Sequence, residues 1–580
     1  METGVTNQGA NYTSALSAHL AVAYDSETVA ALVERIVPLV EGARATNGNR
    51  AAGWLDERDV MLITYGDSIR TEGEAPLATL RRFLAAHGGE IITNVHILPF
   101  YPWTSDDGFS VKDYRAIDPV LGDWDDVSAL AEDVGIMFDG VINHISAESA
   151  WFRAFLAGDP KYADYFTVMD PATDLSQVTR PRALPVLTPF ETADGVKSVW
   201  TTFSADQIDL NYANPDVLIE ILDLLIFYAQ KGARFIRLDA IGFLWKEVGT
   251  TCMHLPQTHA VIKAMRVVLD AAVPGTLIVT ETNVPHRDNI SYFGDGSDEA
   301  QLVYQFPLPP LTLHAFLTGD ASRLTGWARS LEPTTPSTTF FNFLASHDGI
   351  GVRPAEGILS PEEVAAMADA VVARGGRVSM RSLPGGGEAP YELNITYLDA
   401  ISAPGEDDDT RLAKFMAAQT ILLSVVGIPG IYVHSLLGSH NDLEGLARTG
   451  RARSINREKL DLAGLEAALA DPANLRTRVL SAFRERLTLR AARPAFAPNA
   501  AQRVLSLDDR VFSLMRETGG DRVWVAVNVT AGPVALSVPT ADLGFAPGRS
   551  VSLLGGTAPI IGAETTELTL APYEAAWITQ

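Results

Sequence analysis

The chain has 580 residues, of which 47% are hydrophobic and 20% are charged, a composition typical of a globular protein with room for several domains. Its formal net charge is −26 and its pI is about 4.8. Such an acidic surface repels phosphate backbones and anionic lipids, so nucleic acids and membranes are excluded as expected partners.

The cysteine content and the N-terminus indicate the compartment. Cys252 is the single cysteine, so no disulfide can form within the chain, which is typical of a reducing compartment. The first 20 residues lack the basic and apolar regions of a secretory signal, and no run approaches the ~20 apolar residues of a membrane span. We therefore predict a cytoplasmic protein. The sequence leaves open whether it forms a homodimer.

Residues 1–58 are predicted to form an N-terminal helical extension. Apolar residues recur at helical spacing between Ser26 and Val40, and the segment from Gly42 to Gly53 is predicted to be a linker.

From Val60 onward, strand-like and helix-like segments alternate. The eight strand-like runs are Val60–Tyr65, Asn94–Phe100, Ile136–Ile142, Arg234–Leu238, Thr276–Thr280, Leu302–Phe306, Thr338–Leu344 and Ile428–Val433. This alternation predicts an α/β fold, a closed (β/α)8 TIM barrel formed by residues 59–145 and 209–500. An open doubly wound sheet is the alternative, and it is disfavoured because no Gly-x-Gly-x-x-Gly motif follows the first strand.

Two gaps between the predicted strands are too long for ordinary loops. Residues 146–208 follow the third strand, and residues 349–410 form a second long insertion after strand 7. Insertions at this rim of a barrel usually determine substrate specificity. After residue 501 the pattern changes to short alternating strands, which predicts a C-terminal β-domain over residues 501–580.

Three acidic residues lie at the ends of predicted barrel strands. Asp239 ends the run Phe235–Asp239, Glu281 ends Leu277–Glu281, and Asp348 follows Phe343–His347. Packing explains a charge there poorly, because such strands are buried on both faces. The C-terminal strand ends of a parallel barrel meet at one rim, and two or three carboxylates around one pocket are suited to glycoside chemistry. The alternative for each residue alone is a solvated loop acid.

Neighbouring residues suggest a role for each acid. Arg237 faces the same side of its strand as Asp239, so we expect it to lower the pKa of Asp239, as a nucleophile requires. Glu281 has no basic neighbour on its strand, and a raised pKa there would suit a general acid. Asp348 stands beside His347, and this pair could stabilise positive charge on a sugar ring.

Four segments, Asp139–His144, Arg237–Asp239, Glu281 and His347–Asp348, resemble in type and order the signature regions of glycoside hydrolase family 13, the alpha-amylase clan. The resemblance implies a TIM barrel with an inserted B-domain at residues 146–208 and a C-terminal β-domain. It also implies that Asp239 is the nucleophile, Glu281 the acid/base and Asp348 the stabiliser of the transition state.

Further motifs, including Leu62–Asp67, His96–Phe100, Arg180–Arg182 and Ser454–Arg457, are similar to the sucrose phosphorylase subgroup of that family. This subgroup performs retaining phosphorolysis, so the resemblance implies no metal and no cofactor, with a small α-glucoside and inorganic phosphate as substrates. The residues implied for the glucosyl unit are Asp106, His144, Arg237, His347, Asp348 and Arg453, and Phe109 is a further implied substrate-binding residue. Arg182 and Tyr391 are implied near the phosphate or acceptor. From the residues alone, a solvated loop is the favoured interpretation of Arg182.

The chain departs from that subgroup around the expected acceptor. It has Glu281-Thr-Asn283 where sucrose phosphorylases have Glu-Val-His, and Tyr391-Glu392 where they have Tyr-Gln. Asn283 and Glu392 are therefore candidate acceptor-binding residues, and both argue against plain sucrose. The Glu281–His286 segment, the Asn289–Gly294 segment and the overall length look most like glucosylglycerate phosphorylases.

The expected reaction is therefore phosphorolysis of 2-O-α-glucosylglycerate to α-D-glucose 1-phosphate and D-glycerate through a covalent β-glucosyl-enzyme. Retention of configuration predicts that the carboxyls of Asp239 and Glu281 lie about 5–5.5 Å apart. The alternatives are a phosphorylase of sucrose, sucrose 6'-phosphate or glucosylglycerol, an α-glucoside hydrolase or transglucosylase, and a non-catalytic binding module.

Overall fold

The computed structural model describes residues 5–46, 53–181, 184–382, 387–556 and 558–580. Two helices, Val5–Leu20 and Ser26–Thr46, precede the barrel and pack on its outer face. Leu16, Leu20 and Ile36 are fully buried in the same core as the barrel.

The second of these helices is longer than the sequence pattern predicts. It continues to Thr46, so the predicted linker is wrong over residues 42–46. Ala43 is buried, and the Nε atom of Arg44 donates to the carbonyl of Ala271 at 2.6 Å, which favours another helical turn despite Gly42. Residues 47–52 of the predicted linker lie outside the described residues.

Eight parallel strands form a closed barrel, which confirms the predicted fold class. They are β1 (Met61–Thr64), β2 (Asn94–Ile97), β3 (Gly135–Gly140), β4 (Ala233–Leu238), β5 (Leu277–Thr280), β6 (Leu302–Tyr304), β7 (Thr339–Phe343) and β8 (Ile428–Tyr432). Their order around the barrel follows the chain, and β8 pairs with β1. Helices cover the outside and side chains fill the inside, so the strands are almost continuously apolar.

The main helices of the barrel lie between or after these strands. They are Pro76–His87, Trp124–Asp133, Pro215–Gln230, Pro256–Ala272, Leu308–Thr318, Ser322–Ser330, Asp408–Ser424 and Leu475–Ala491. Several begin with proline, whose fixed φ suits the first turn and whose missing N–H has no intrahelical partner to lose.

The register of neighbouring strands brings the predicted catalytic acids together. Leu238 of β4 pairs with Thr280 of β5, so the next residues, Asp239 and Glu281, leave the barrel at the same level. On the other side of β4, Arg237 pairs with Asp139 of β3. The charged residues of these strands therefore converge on the C-terminal mouth of the barrel.

Two insertions stand over this mouth. The one after β3 contains the strands His144–Ser146, Val168–Met169, Leu187–Thr192, Gly195–Trp200 and Gln207–Asp209, and the helix Ala150–Leu156. The one after β7 contains the strands Ile350–Gly351, Arg377–Ser382 and Glu388–Asn394, and the helices Pro361–Ala373 and Tyr397–Ile401. Both insertions contribute residues to the cavity described below.

The C-terminal region folds as antiparallel sheets. Its five-stranded sheet contains Ala501–Asp508, Val511–Thr518, Asp521–Asn528, Ala575–Thr579 and Val551–Ser552, and the strands Val534–Pro539 and Thr565–Leu570 form a separate pair. The indole N–H of Trp577 donates to the hydroxyl of Ser424 at 2.8 Å, which attaches this sheet to the barrel. Among the described residues, no helix is long and apolar enough to cross a membrane.

Candidate active site

One cavity at the mouth of the barrel gathers the predicted site residues. Twelve of the thirteen line it: Asp106, Phe109, His144, Arg237, Asp239, Glu281, Asn283, His347, Asp348, Tyr391, Glu392 and Arg453. The thirteenth, Arg182, lies outside the described residues. The space enclosed by these residues, including the open solvent at its mouth, measures about 770 Å³.

Arg237 is the buried cation around which the floor of the cavity is built. Its guanidinium forms ion pairs with Asp139 and, at 2.9 Å, with Asp239. Asp139 also accepts a hydrogen bond from His96 at 2.7 Å. Every member of this network is buried, and burial of a charge is unfavourable because the charge loses its hydration. The ion pairs between Arg237 and the two aspartates offset this cost.

The backbone after β4 joins the two central carboxylates. Ala240 adopts a φ of +49°, a left-handed conformation that is rare for a residue with a Cβ and is often found at functional sites. In this conformation its N–H donates to Oε2 of Glu281 at 3.1 Å. The Nη2 atom of Arg237 lies 3.8 Å from the same carboxyl oxygen. Asp239 and Glu281 are thus held in fixed orientations beside one cation.

The pKa of Asp239 differs from the expectation. Burial raises the pKa of Asp239 well above its ordinary value; Arg237 opposes this shift, and the nearby charges of Glu281 and Asp139 add to it. The predicted net lowering of this pKa is therefore wrong: Arg237 does lower the pKa of Asp239, but burial outweighs its contribution. Burial also raises the pKa of Glu281, in the direction that its proposed role as a general acid requires.

Asp348 is surrounded by arginines. Although burial opposes the shift, Arg453, at 2.7 Å from Oδ1, together with Arg457 and Arg237 lowers the pKa of Asp348 well below its ordinary value. Asp348 therefore carries a negative charge throughout the physiological pH range, as a group that stabilises a cationic transition state must.

His347 and the loop that carries it are held by neighbouring rings and hydrogen bonds. Burial, with the adjacent arginines, lowers the pKa of His347 to about 3, so its ring is neutral at pH 7. The ring stacks on Phe109 with centroids 4.9 Å apart. Behind the loop, Asn456 donates to the carbonyl of Asp348 at 3.0 Å and Arg457 donates to that of His347 at 2.7 Å.

His144 and Asp106 also line the cavity. Nε2 of His144 lies 2.8 Å from the carbonyl of Phe109, and burial lowers the pKa of this histidine. Asp106 has a φ of +55°, which an aspartate tolerates better than most residues. Oδ1 of Asp106 lies 3.8 Å from Arg453.

A second part of the cavity, called its outer part below, is lined by Tyr391 and Glu392 from the second insertion and by Asn283 from the segment after β5. Glu392 makes a two-point contact with Arg453 at 2.7 and 3.1 Å. The same guanidinium therefore joins Glu392, from the second insertion, to Asp348 at the end of β7. Burial raises the pKa of Tyr391 to about 12, so this phenol is neutral and can donate a hydrogen bond.

Comparison with known proteins places this arrangement in a family. The family model "Alpha amylase, catalytic domain" matches residues 91–348, and "Maltogenic Amylase, C-terminal domain" matches residues 502–577. The chain is 50% identical over 562 residues to the glucosylglycerate phosphorylase of Allomeiothermus silvanus, covering 97% of each chain. It is 42% identical to that of Escherichia coli, covering 96% of this chain and 98% of the relative. The chain belongs to the glucosylglycerate phosphorylase family.

A solved structure supports the fold of this family member. The sucrose 6F-phosphate phosphorylase from Thermoanaerobacter thermosaccharolyticum superimposes with a TM-score of 0.71 at 26% identity, covering 83% of this chain and 96% of that one. The sucrose phosphorylase of Agrobacterium vitis is a more distant relative at 33% identity, covering 74% of this chain and 88% of its own.

The cavity of this phosphorylase family member contains residues that sequence reasoning missed. Phe203 and Gln207 come from the first insertion, and Arg353 comes from the second. Gln207 donates to the carbonyl of Phe109 at 3.0 Å, and the ring of Phe203 lies 5.3 Å from that of His144. Their only sequence signal was membership of insertions expected at the catalytic rim, which does not single out individual residues.

Proposed function

We propose that the enzyme cleaves 2-O-α-glucosylglycerate with phosphate to give α-D-glucose 1-phosphate and D-glycerate. The observation that carries this proposal is that Asp239, Glu281 and Asp348 line one cavity in a chain that is 50% identical to a glucosylglycerate phosphorylase over 97% of its length. Binding of a substrate by a non-catalytic module would not require three acids around one buried arginine.

In the first half-reaction, a carboxylate oxygen of Asp239 attacks the anomeric carbon of the glucosyl unit. The glycosidic bond breaks, and the carboxylic acid of Glu281 gives its proton to the departing oxygen of glycerate. The charge of Asp348 stabilises the positive charge that develops on the ring. The product is a β-glucosyl ester of Asp239.

In the second half-reaction, an oxygen of phosphate forms a bond to the anomeric carbon while the ester bond to Asp239 breaks. The attack comes from the face that glycerate left, with Glu281 as the base where one is needed, so the configuration is retained. The separation of about 5–5.5 Å between the two carboxyls stays a prediction of this mechanism.

Asp239 and Glu281 need opposite protonation states for the first step. Because burial raises the pKa of both, the pair retains a proton more readily than two exposed acids would. Arg237 is closer to Asp239, at 2.9 Å, than to Glu281, at 3.8 Å, which favours the charge on Asp239 and the proton on Glu281.

The proposal includes no cofactor and no metal, because the nucleophile, the acid/base and the stabilising charge are all side chains of this chain. Phosphate acts as a co-substrate. We also propose a cytoplasmic location, which the single cysteine supports, and no nucleic-acid or membrane partner, which the net charge of −26 supports. A homodimer stays a prediction that the mass of the particle in solution would test.

The decisive experiment is incubation with phosphate and candidate α-glucosides, followed by measurement of glucose 1-phosphate and its anomeric configuration. We expect glucosylglycerate to give α-glucose 1-phosphate faster than sucrose, sucrose 6'-phosphate or glucosylglycerol. Release of free glucose without dependence on phosphate would instead identify a hydrolase. A preference for glucosylglycerol would mean that the acceptor is neutral glycerol rather than glycerate.

A further inference from the structure

Arg353 differs from the other arginines that line the cavity. Arg237 is paired with Asp139 and Asp239, and Arg453 is paired with Asp348 and Glu392. Within the described part of the chain, Arg353 makes no ion pair with any carboxylate; its buried Nε atom, like that of Arg237, has no hydrogen-bond partner. A guanidinium beside a cavity with unsatisfied donors is suited to binding an anion.

The fold holds Arg353 beside the strand that carries Tyr391 and Glu392. It begins the short helical turn Arg353–Ala355, one residue after the strand Ile350–Gly351. That strand pairs with the one containing Glu392, and the N–H of Val352 donates to the carbonyl of Tyr391 at 3.1 Å. Arg353 is therefore placed by the same pair of strands that presents Tyr391 and Glu392.

Asn283 lies against this strand pair and offers a second unsatisfied group. A Cβ atom on Gly351 would come within 2.9 Å of Nδ2 of Asn283, so the glycine makes room for the amide. Among the described residues, the buried Oδ1 of Asn283 has no hydrogen-bond donor. The outer part of the cavity thus combines a cation without an ion pair, Arg353, with a hydrogen-bond acceptor without a donor, Asn283. Asn283 follows the acid/base Glu281 by two residues in the chain.

An anionic acceptor can bind in this cavity only if an unpaired cation offsets the negative charge of the lining. The described lining contains five carboxyls, Asp106, Asp239, Glu281, Asp348 and Glu392, but three guanidinium groups, Arg237, Arg353 and Arg453. Two of those three are already engaged by acids, and the whole chain carries a formal charge of −26. Of the described lining arginines, Arg353 is the one whose charge is left for a ligand.

We propose that Arg353 binds the carboxylate of glycerate and that Asn283 accepts a hydrogen bond from its free hydroxyl. This inference rests on the proposed function, because it assigns the acceptor of that reaction. In 2-O-α-glucosylglycerate, the carboxylate is attached to the carbon that bears the glycosidic oxygen. An anion contact beside Glu281 therefore also orients the oxygen that Glu281 protonates.

The test is the reverse reaction from α-glucose 1-phosphate, with Arg353→Gln and Arg353→Lys variants. Three acceptors are compared: D-glycerate, glycerol as its neutral analogue, and arsenate as an anion that replaces phosphate and releases glucose. We expect Arg353→Gln to raise the KM for D-glycerate by roughly 10- to 100-fold, the loss expected for a charge-assisted contact. The KM values for glycerol and arsenate should change less than about threefold, and Arg353→Lys should recover part of the loss.

Arg381→Gln is the matched control. Arg381 belongs to the same insertion but forms an ion pair with Glu356 and does not line the cavity. We expect it to leave all three acceptor KM values unchanged. Retained arsenolysis in Arg353→Gln shows that the variant is folded.

Two results would overturn the assignment while the proposed function stands. The first is an unchanged KM for D-glycerate in Arg353→Gln, and the second is an equal rise for arsenate, which would assign the arginine to phosphate. If the unaltered enzyme does not use D-glycerate at all, both the proposed function and this inference fail.

Discussion

The floor and the outer part of the cavity are built in different ways. On the floor, residues at the ends of β3, β4 and β7 form a network in which each buried arginine is matched by carboxylates, as in the contacts of Arg237 with Asp139 and Asp239. In the outer part, Arg353 has no carboxylate partner and the buried Oδ1 of Asn283 has no hydrogen-bond donor among the described residues. The barrel thus supplies a fixed glucosyl site, and the loops supply groups that a ligand can complete.

The largest effect should come from the floor. We expect Asp239→Asn to reduce phosphorolysis by at least ~10³-fold, because no other group can replace a covalent nucleophile. The measurement is the initial rate of glucose 1-phosphate formation, with Asp509→Asn, an exposed site in the C-terminal domain, as the control. Near-normal turnover in Asp239→Asn would remove this residue from the nucleophilic role.

The loss of rate on substitution of Glu281 should depend on the leaving group of the substrate. We expect Glu281→Gln to slow cleavage of glucosylglycerate by about 10²-fold or more, since glycerate oxygen needs a proton to depart. With α-glucosyl fluoride, whose leaving group needs little protonation, formation of the glucosyl-enzyme should be nearly normal. An equal loss with both substrates would contradict the acid role.

A smaller effect should follow where the two regions meet. Glu392 belongs to the second insertion but contacts the floor through Arg453. We expect Glu392→Gln to lower kcat/KM about tenfold, because the neutral amide weakens the two-point contact that orients Arg453 towards Asp348. Kinetics with glucosylglycerate and with glucosyl fluoride would check this; an effect restricted to glucosylglycerate would mean that Glu392 acts on the acceptor alone.

The smallest expected effect concerns stability. Because the pKa of Asp239 is raised in the folded state, the folded protein binds the proton more tightly, and the ionised carboxylate destabilises it above that pKa. Asp239→Asn should therefore raise the Tm at pH 7 by about 1–3 °C. The gain should disappear below about pH 4, where Asp239 is protonated in both states. A lower Tm at pH 7 would contradict the direction of this shift.

Much of the floor could be predicted from the sequence because its chemistry follows the barrel strands. Apolar runs defined all eight strands, and an acid directly after such a run had to emerge at the common rim. Sequence neighbours were a poor guide to electrostatics, however. Arg237 lies two residues before Asp239 and does lower its pKa, but the burial of the carboxyl in the folded protein outweighs this contribution and reverses the expected shift.

The outer part could be predicted only in outline. Asn283, Tyr391 and Glu392 were found because motifs known from the family contain their positions. Arg353 belongs to no such motif, and a single arginine within a long insertion has no periodicity that would place it against a cavity. Its significance lies in the missing partner, which is a property of the tertiary structure alone.

The two N-terminal helices have a practical consequence for anyone who shortens this enzyme. The hydroxyl of Tyr24 donates to the carbonyl of Tyr212, and Arg35 pairs with Asp216 where the helix Pro215–Gln230 begins. A truncated protein starting at β1 would expose the apolar surface of the barrel helices against which Leu16, Leu20 and Ile36 are buried. Deleting the two helices would therefore expose an apolar patch and favour aggregation, although no residue that lines the cavity would be removed.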